Sequence, residues 1–174
     1  MAYFYFDSAA QKEQTAASVL GALLKQVVRS FKQIPKEITD AFRRHKKFIG
    51  GRELQLHEIV KILGTLSSTQ RTFFCLDAVD ECRLPDQANL LLSLKDIIEI
   101  SPTARLFLTG RPYVGREVGK HLPAGTSLVS VSPRNGDIIR YIRKKLSEDI
   151  NSCEMDEELE AEILRKIPEN FSDM

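Results

Sequence analysis

The sequence predicts an α/β fold, a parallel sheet with flanking helices, followed by a small helical segment. Three observations carry that reading. Short apolar runs at 72–76 and 105–112 are separated by a Leu- and Ile-rich stretch, and strands alternating with helices at this spacing call for a parallel sheet with crossover helices on its faces. An aromatic run at 2–7 leads into a segment with helical apolar spacing, and after Pro133 only helical periodicity is left.

Taken in order, "AYFYFD" (2–7) has the brevity and aromatic content of a strand, and it stops at Asp7-Ser8, a helix-entry pair. Ala16, Leu20, Leu23, Leu24, Val27, Val28 and Phe31 then recur at i, i+4, i+7, i+8, which puts them on one face of a core-facing helix. The chain is mixed and basic from 35 to 47, and the Gly-Gly pair at 50–51 breaks it before a second amphipathic helix bearing Leu56, Ile59, Val60 and Leu63. Thr72 to Leu76 is continuously apolar and does not alternate, which predicts a strand buried on both faces.

A helix is expected over 87–100, "SPTAR" is a loop, and "RLFLTGRP" (105–112) is a strand ended by Gly110 and Pro112. "SLVSVS" (127–132) predicts a last, shorter strand. Beyond Pro133, Ile138, Ile142, Leu146 and Ile150 mark one helix, and "DEELEAEILRKI" starts another near Asp156. The expected division is a core over 1–133 and the start of a helical subdomain over 134–174.

Composition narrows the function classes. The 174 residues, 43% hydrophobic and 28% charged, suit one soluble domain. Lys+Arg 25 against Asp+Glu 24 gives a net charge of +1, so no long-range field favours nucleic acid or an anionic membrane. The basic cluster "RRHKK" (43–47) has no interleaved aromatics for base stacking and reads as a solvated helix end. No apolar run approaches the roughly 20 residues that span a bilayer, and the N-terminus lacks the basic n-region of a secretion signal. Cys75, Cys82 and Cys153 form no C-x-x-C pair, which points to a reduced, cytoplasmic setting and inert thiols. His45, His57 and His121 are scattered and read as surface or structural residues.

Chemistry is expected at the carboxyl ends of the strands, where open α/β sheets bind ligands. Asp77 ends one apolar run and is placed to hold Mg²⁺ through a water. Asp80 and Glu81 follow one turn later, as candidates to orient a water for in-line attack on a phosphate. At the end of the next strand Arg111 offers a positive fork for a terminal phosphate, and Thr109 a hydroxyl. Taken singly, these residues are equally a solvated acidic turn and a surface arginine. Their position at the ends of two strands of one sheet favours a site.

These segments carry a resemblance. "FFCLDAVDEC" resembles the Walker B segment of NACHT-type NTPases, the STAND signal-transduction ATPases, and in particular the nephrocystin-like group common in fungal NLR-like receptors. "AYFYFD" resembles the strand that follows the nucleotide-binding loop in that group, "LFLTGRP" its sensor strand, usually written Thr-Ser-Arg-Pro, and "NGDIIRYIRKKL" the entry to the helical subdomain. Gly110 stands where serine is more common; Thr109 and Arg111 are kept. The resemblance implies a P-loop NTPase-like core that binds ATP or GTP with Mg²⁺ and hydrolyses it slowly as a signalling switch.

One expected part is missing from these residues. Nothing matches G-x-x-x-x-G-K-S/T, the loop whose backbone amides cradle phosphates; "GREVGKH" (115–121) is one residue short between its glycines, ends in His121 and follows the sensor strand. In the family that loop immediately precedes the strand represented by "AYFYFD", so Met1 is read as a truncation point: a partial gene product, a remnant of a larger receptor gene, or a chain cut there. The family's strand before the loop lies between the sensor strand and the last core strand. Without it "SLVSVS" must pair directly with "RLFLTG", or both expose unpaired edges, and weak stability is expected.

Two functions follow as expectations. The first is a partial nucleotide-binding domain, impaired in binding and hydrolysis by itself because the cradle and its lysine carry much of the phosphate affinity. The second is a non-catalytic scaffold that self-associates or pairs with related NLR-like proteins through the helices after Pro133. A metal-dependent nuclease or phosphatase is the poorer reading, since such sites draw acids from several elements or add a nearby Lys or His.

Overall fold

The computed structural model describes residues 1–33, 36, 39–40, 43, 54–123, 125–148 and 156–171. In chain order these hold β1 (Ala2–Tyr5), α1 (Ala16–Arg29), α2 (Leu56–Thr69), β2 (Phe73–Asp77), α3 (Leu84–Ile100), β3 (Arg105–Leu108), α4 (Val114–His121), α5 (Asn135–Glu148) and α6 (Glu157–Phe171). Single 3-10 turns follow β1 at Ser8–Ala10 and β2 at Val79–Glu81. The Gly-Gly pair, Ile150, Cys153 and the basic cluster apart from Arg43 lie outside the described residues; Arg43 pairs with Asp40 at 3.8 Å. Contacts divide the chain into Met1–Leu128 and Val129–Met174.

The first unit is built on a three-stranded, all-parallel sheet in the order β1-β2-β3. Tyr3 lies beside Cys75 and Tyr5 beside Asp77; on the other side of β2, Phe73 lies beside Arg105 and Cys75 beside Phe107. α1 packs on β1, α2 and α3, and α3 packs on α2 and α4. Their shared core holds Leu20, Leu23, Leu63, Leu66, Phe74, Leu76, Leu90, Leu91, Leu94 and Ile97, all fully buried. Truncating one of these leucines to alanine costs about 2–5 kcal/mol.

Local signals place the helices. Thr15 caps α1 by accepting the Ser18 N–H at 3.2 Å, and Gln55 and Glu58 form a capping box at the start of α2. Gly64 lets α2 approach the end of α3: a Cβ there would stand 2.7 Å from Ile100 Cγ2 and 2.8 Å from its Cβ, so any side chain would push the helices apart.

Three expectations need correction. β2 is buried on one face only: Phe74 and Leu76 enter the core, while Phe73 is exposed and Cys75 half-buried. The continuous apolar run overstates burial because Tyr3, Tyr5 and Phe107, on the opposite face, are exposed. Residues 127–132 form no strand; Leu128, Val129 and Val131 are exposed, the last by 89%. Direct pairing of 127–132 with β3 is therefore not adopted, and among the described residues no strand pairs with the outer edge of β3. Finally, the strand expected over 105–112 stops at Leu108, because the Thr109 carbonyl accepts from the Val79 N–H of the turn after β2; beyond it Val114–His121 is a helix, α4, so the Gly-Lys of "GREVGKH" sits inside a helix, in keeping with its exclusion as a phosphate loop.

The two sheet edges differ. At β1 the Gln26 amide of α1 acts as a substitute strand, accepting from Tyr3 N–H at 3.0 Å and donating to Tyr3 O at 2.8 Å. At β3 the Arg105 and Thr109 amides face β2, bonding Thr72 O at 2.8 Å and Leu76 O at 3.0 Å. By alternation the Leu106 and Leu108 amides point out of the sheet.

In the second unit α5 packs against α6, with Ile142 buried, and the Asp156 carboxylate opens α6 by accepting the Leu159 N–H at 2.6 Å. Among the described residues no helix is long and apolar enough to cross a membrane.

Candidate functional site

β2, the central strand, ends at Asp77, and the chain leaves it through a turn tied to the end of β3. Ala78 takes a left-handed conformation, φ 56° and ψ 47°. Its N–H donates to Thr109 Oγ1 at 3.1 Å, the Val79 N–H donates to Thr109 O at 2.9 Å, and the Thr109 N–H donates to Leu76 O. The Thr109 hydroxyl donates in turn to Asp77 Oδ1. Below the turn Val79 is fully buried, and the buried Gln87 side chain of α3 donates to its carbonyl at 2.8 Å. One threonine thus fixes both the turn and the carboxylate that opens it.

Asp80 is drawn to the same strand end by Arg111. The Arg111 N–H donates to Asp80 Oδ1 at 3.2 Å, and Nε lies 3.4 Å from Oδ2. The pair is lopsided: the Asp80 side chain is 7% exposed and that of Arg111 73%. Gly110 belongs to this contact, because a Cβ there would lie 3.3 Å from Asp80 Oδ1 and 3.5 Å from its amide, tighter than an unshifted serine accommodates.

Glu81 points elsewhere. Its Oε2 accepts the Ser8 N–H at 2.7 Å, tying the acidic turn to the loop after β1. That loop is ordered by its own bonds: Asp7 Oδ1 accepts from Ala9 N–H at 2.9 Å, and Gln14 Oε1 accepts from Asp7 N–H at 3.2 Å. Next to Glu81, burial and the neighbouring Asp86 push the Cys82 thiol up to about 11, with Arg83 opposing.

The structure thus pairs Asp77 with Thr109 and Asp80 with Arg111, and gives Glu81 a partner on a different loop. Among the described residues no group of three or more His, Cys, Asp or Glu side chains is arranged to hold a metal ion. Asp77 still has the donor chemistry for Mg²⁺: it is exposed at the strand end, with one oxygen oriented by Thr109 and the other without a protein partner among those residues. Mg²⁺ takes one or two carboxylates and fills its shell with water and phosphate oxygens. The parts that Ser8, Gln87 and Ala78 play at this strand end were not legible in the sequence, because Ser8 and Ala78 act through backbone groups and Gln87 from inside a helix.

Parallel strands with crossover helices, and polar side chains joined across the carboxyl ends of two neighbouring strands, define a parallel α/β class of domain. Residues 1–111, well over half of the chain, match the family described as Nephrocystin 3, N-terminal. The chain belongs to that family. No curated protein and no solved structure matches it.

Proposed function

We propose that this chain is the Walker B and sensor half of a NACHT-type nucleotide-binding domain, of the kind found in STAND ATPases of fungal NLR-like receptors, and that by itself it holds nucleotide weakly. The observation that supports this most is the Thr109–Asp77 hydrogen bond across the ends of β2 and β3. A metal-facing carboxylate works only if its orientation is fixed beforehand, and this bond fixes it. When bound, Mg²⁺ with ATP or GTP supplies charge neutralisation at the phosphates.

Each residue then has a task. Asp77 faces the cation, and Thr109 holds that carboxylate. Arg111 reaches a terminal phosphate from its exposed position by giving up Asp80. Asp80 and Glu81 are both spoken for, so either becomes a base for water only after losing a partner. Asp80 would lose an ion pair and a hydrogen bond while nearly buried; Glu81 would lose one hydrogen bond from a neutral amide. Each bond to a charged carboxylate is worth about 1.5–3 kcal/mol; Glu81 would lose one and the nearly buried Asp80 two, so Glu81 is the cheaper base. No G-x-x-x-x-G-K-S/T segment occurs in these residues to cradle phosphates, and weak affinity follows.

Titration with Mg-ATP and Mg-GTP tests this. Weak, magnesium-dependent binding without measurable turnover is expected, and micromolar affinity contradicts it. A second reading, an interaction module that pairs through the helices after Pro133 and needs no chemistry, is favoured by the exposed Tyr141 and Leu159 on α5 and α6. It expects Asp77→Ala and Arg111→Ala to leave partner binding intact.

A further inference from the structure

One amide side chain interrupts the buried apolar stripe of α3. Gln87 is 4% exposed and shares its helix face with Leu90, Leu91, Leu94 and Ile97, all fully buried. An amide taken out of water costs free energy unless it finds a partner, so an apolar residue is the simpler choice at that position. The partner lies outside the helix: Gln87 Nε2 donates to Val79 O at 2.8 Å, inside the turn that carries the carboxylates.

Val79 O does not need this bond for its own satisfaction. It already accepts the Cys82 N–H at 3.1 Å, which closes the 3-10 turn, and a carbonyl has a second lone pair to offer. What the second bond adds is direction. Val79 O belongs to the rigid peptide plane that ends in the Asp80 amide, so holding that oxygen fixes the plane from which the Asp80 side chain departs. The plane before Val79 is held from β3, where the Val79 N–H donates to Thr109 O at 2.9 Å. Thr109 grips one plane and Gln87 the next.

We propose that Gln87 is the positioning residue for Asp80: from the first turn of α3 it aims that carboxylate at Arg111 and keeps the arginine engaged. Asp80 Oδ1 accepts the Arg111 N–H at 3.2 Å, and Oδ2 lies 3.4 Å from Nε. Gln87 acts on this pair through a single carbonyl, as Thr109 acts on Asp77 through a single hydroxyl. The positioning needs no nucleotide. Its consequence for phosphate rests on the nucleotide reading: Arg111 must leave Asp80 to reach a phosphate, so loosening Asp80 lowers that cost and tightens binding.

Gln87→Met tests the role, since it keeps the length and the apolar packing and removes the donor. In the full chain without nucleotide, cooperative urea unfolding is expected to persist, and hydrogen exchange at the Arg111 amide to speed about three- to ten-fold, at most one bond's worth. The Leu94 amide within α3 and the Thr109 amide on the ladder should exchange as before. Gln87→Leu, which matches the rest of the stripe, should give the same pattern. A Gln87 that only supports the helix would speed Leu94 along with Arg111; that result overturns the proposal, and so does an unchanged Arg111 amide. Asp80→Ala frees the Arg111 amide by itself, and adding Gln87→Met to it should bring no further change; additive effects contradict a route through Asp80. Titrated with Mg-ATP, Gln87→Met should bind about two- to five-fold more tightly than the wild type, and weaker binding would overturn the restraint on Arg111. A wild type that binds no Mg-ATP removes the nucleotide reading, while the exchange result still decides the role of Gln87.

Discussion

The Thr109 hydroxyl donates to the Asp77 carboxylate and accepts the Ala78 N–H at 3.1 Å, so the ends of the two strands share one oxygen atom. That atom holds the left-handed turn and the carboxylate together. Weakening one strand end therefore disturbs the other.

Ala78 has φ 56°, where a Cβ is crowded, at a cost of roughly 1–2 kcal/mol. Ala78→Gly removes that crowding and keeps the N–H that Thr109 accepts. Thermal or urea unfolding is expected to show a gain of about 0.5–1 kcal/mol, after the larger flexibility of unfolded glycine offsets part of the relief. A loss of stability would mean that the turn is not left-handed.

Arg111→Ala leaves the nearly buried Asp80 carboxylate without its counter-ion. A drop of about 1–2 kcal/mol is expected in urea unfolding, more than the 0–1 kcal/mol of a surface pair. Asp80→Asn in the same background should recover part of it, because the neutral amide leaves no unpaired charge.

Glu81 joins the acidic turn to the loop after β1 through one bond to Ser8. Glu81→Ala is expected to speed hydrogen exchange at the Ser8 amide by about ten-fold, in line with losing roughly one bond's worth of protection. Exchange at Thr109, held by Leu76 O, should change little.

The Cys82 thiol is raised to about 11. A raised acid favours the folded state while it is protonated in both states. Its contribution is complete below about pH 9, the ordinary value, and is lost as pH climbs through 11. Stability should therefore fall between pH 9 and 11, and Cys82→Ala should flatten that fall. At pH 8 alkylation of Cys82 should be slow until the chain unfolds.

Much of this architecture was legible in the sequence. The helical face of Ala16 to Val27, the apolar strands at 72–76 and 105–108, the second shorter than its expected 105–112, and the terminal helices each carry a periodic or propensity signal that packing reinforces. Residues 127–132 have the alternation of a strand, but a strand exists only by pairing, and no partner is written into its own residues. α4 carries little helical signal in the sequence, because Gly115 and Gly119 are poor helix formers, while Val114 and Val118, four apart, anchor it to the core. At the site, Asp77, Thr109 and Arg111 were visible as types at strand ends. Which carboxylate takes which partner depends on long-range geometry, such as the 73-residue separation of Ser8 and Glu81.

The proposed function rests on Asp77 as the magnesium-facing carboxylate of half a nucleotide site. It is tested most directly by titrating Mg-ATP into the wild-type chain and Asp77→Asn, with and without Mg²⁺, while observing the Thr109 amide by NMR. Expected is a magnesium-dependent shift at Thr109 with a dissociation constant of about 1 mM or weaker, absent in Asp77→Asn. Micromolar binding, or a shift of the same size without Mg²⁺ or without the Asp77 carboxylate, would contradict it.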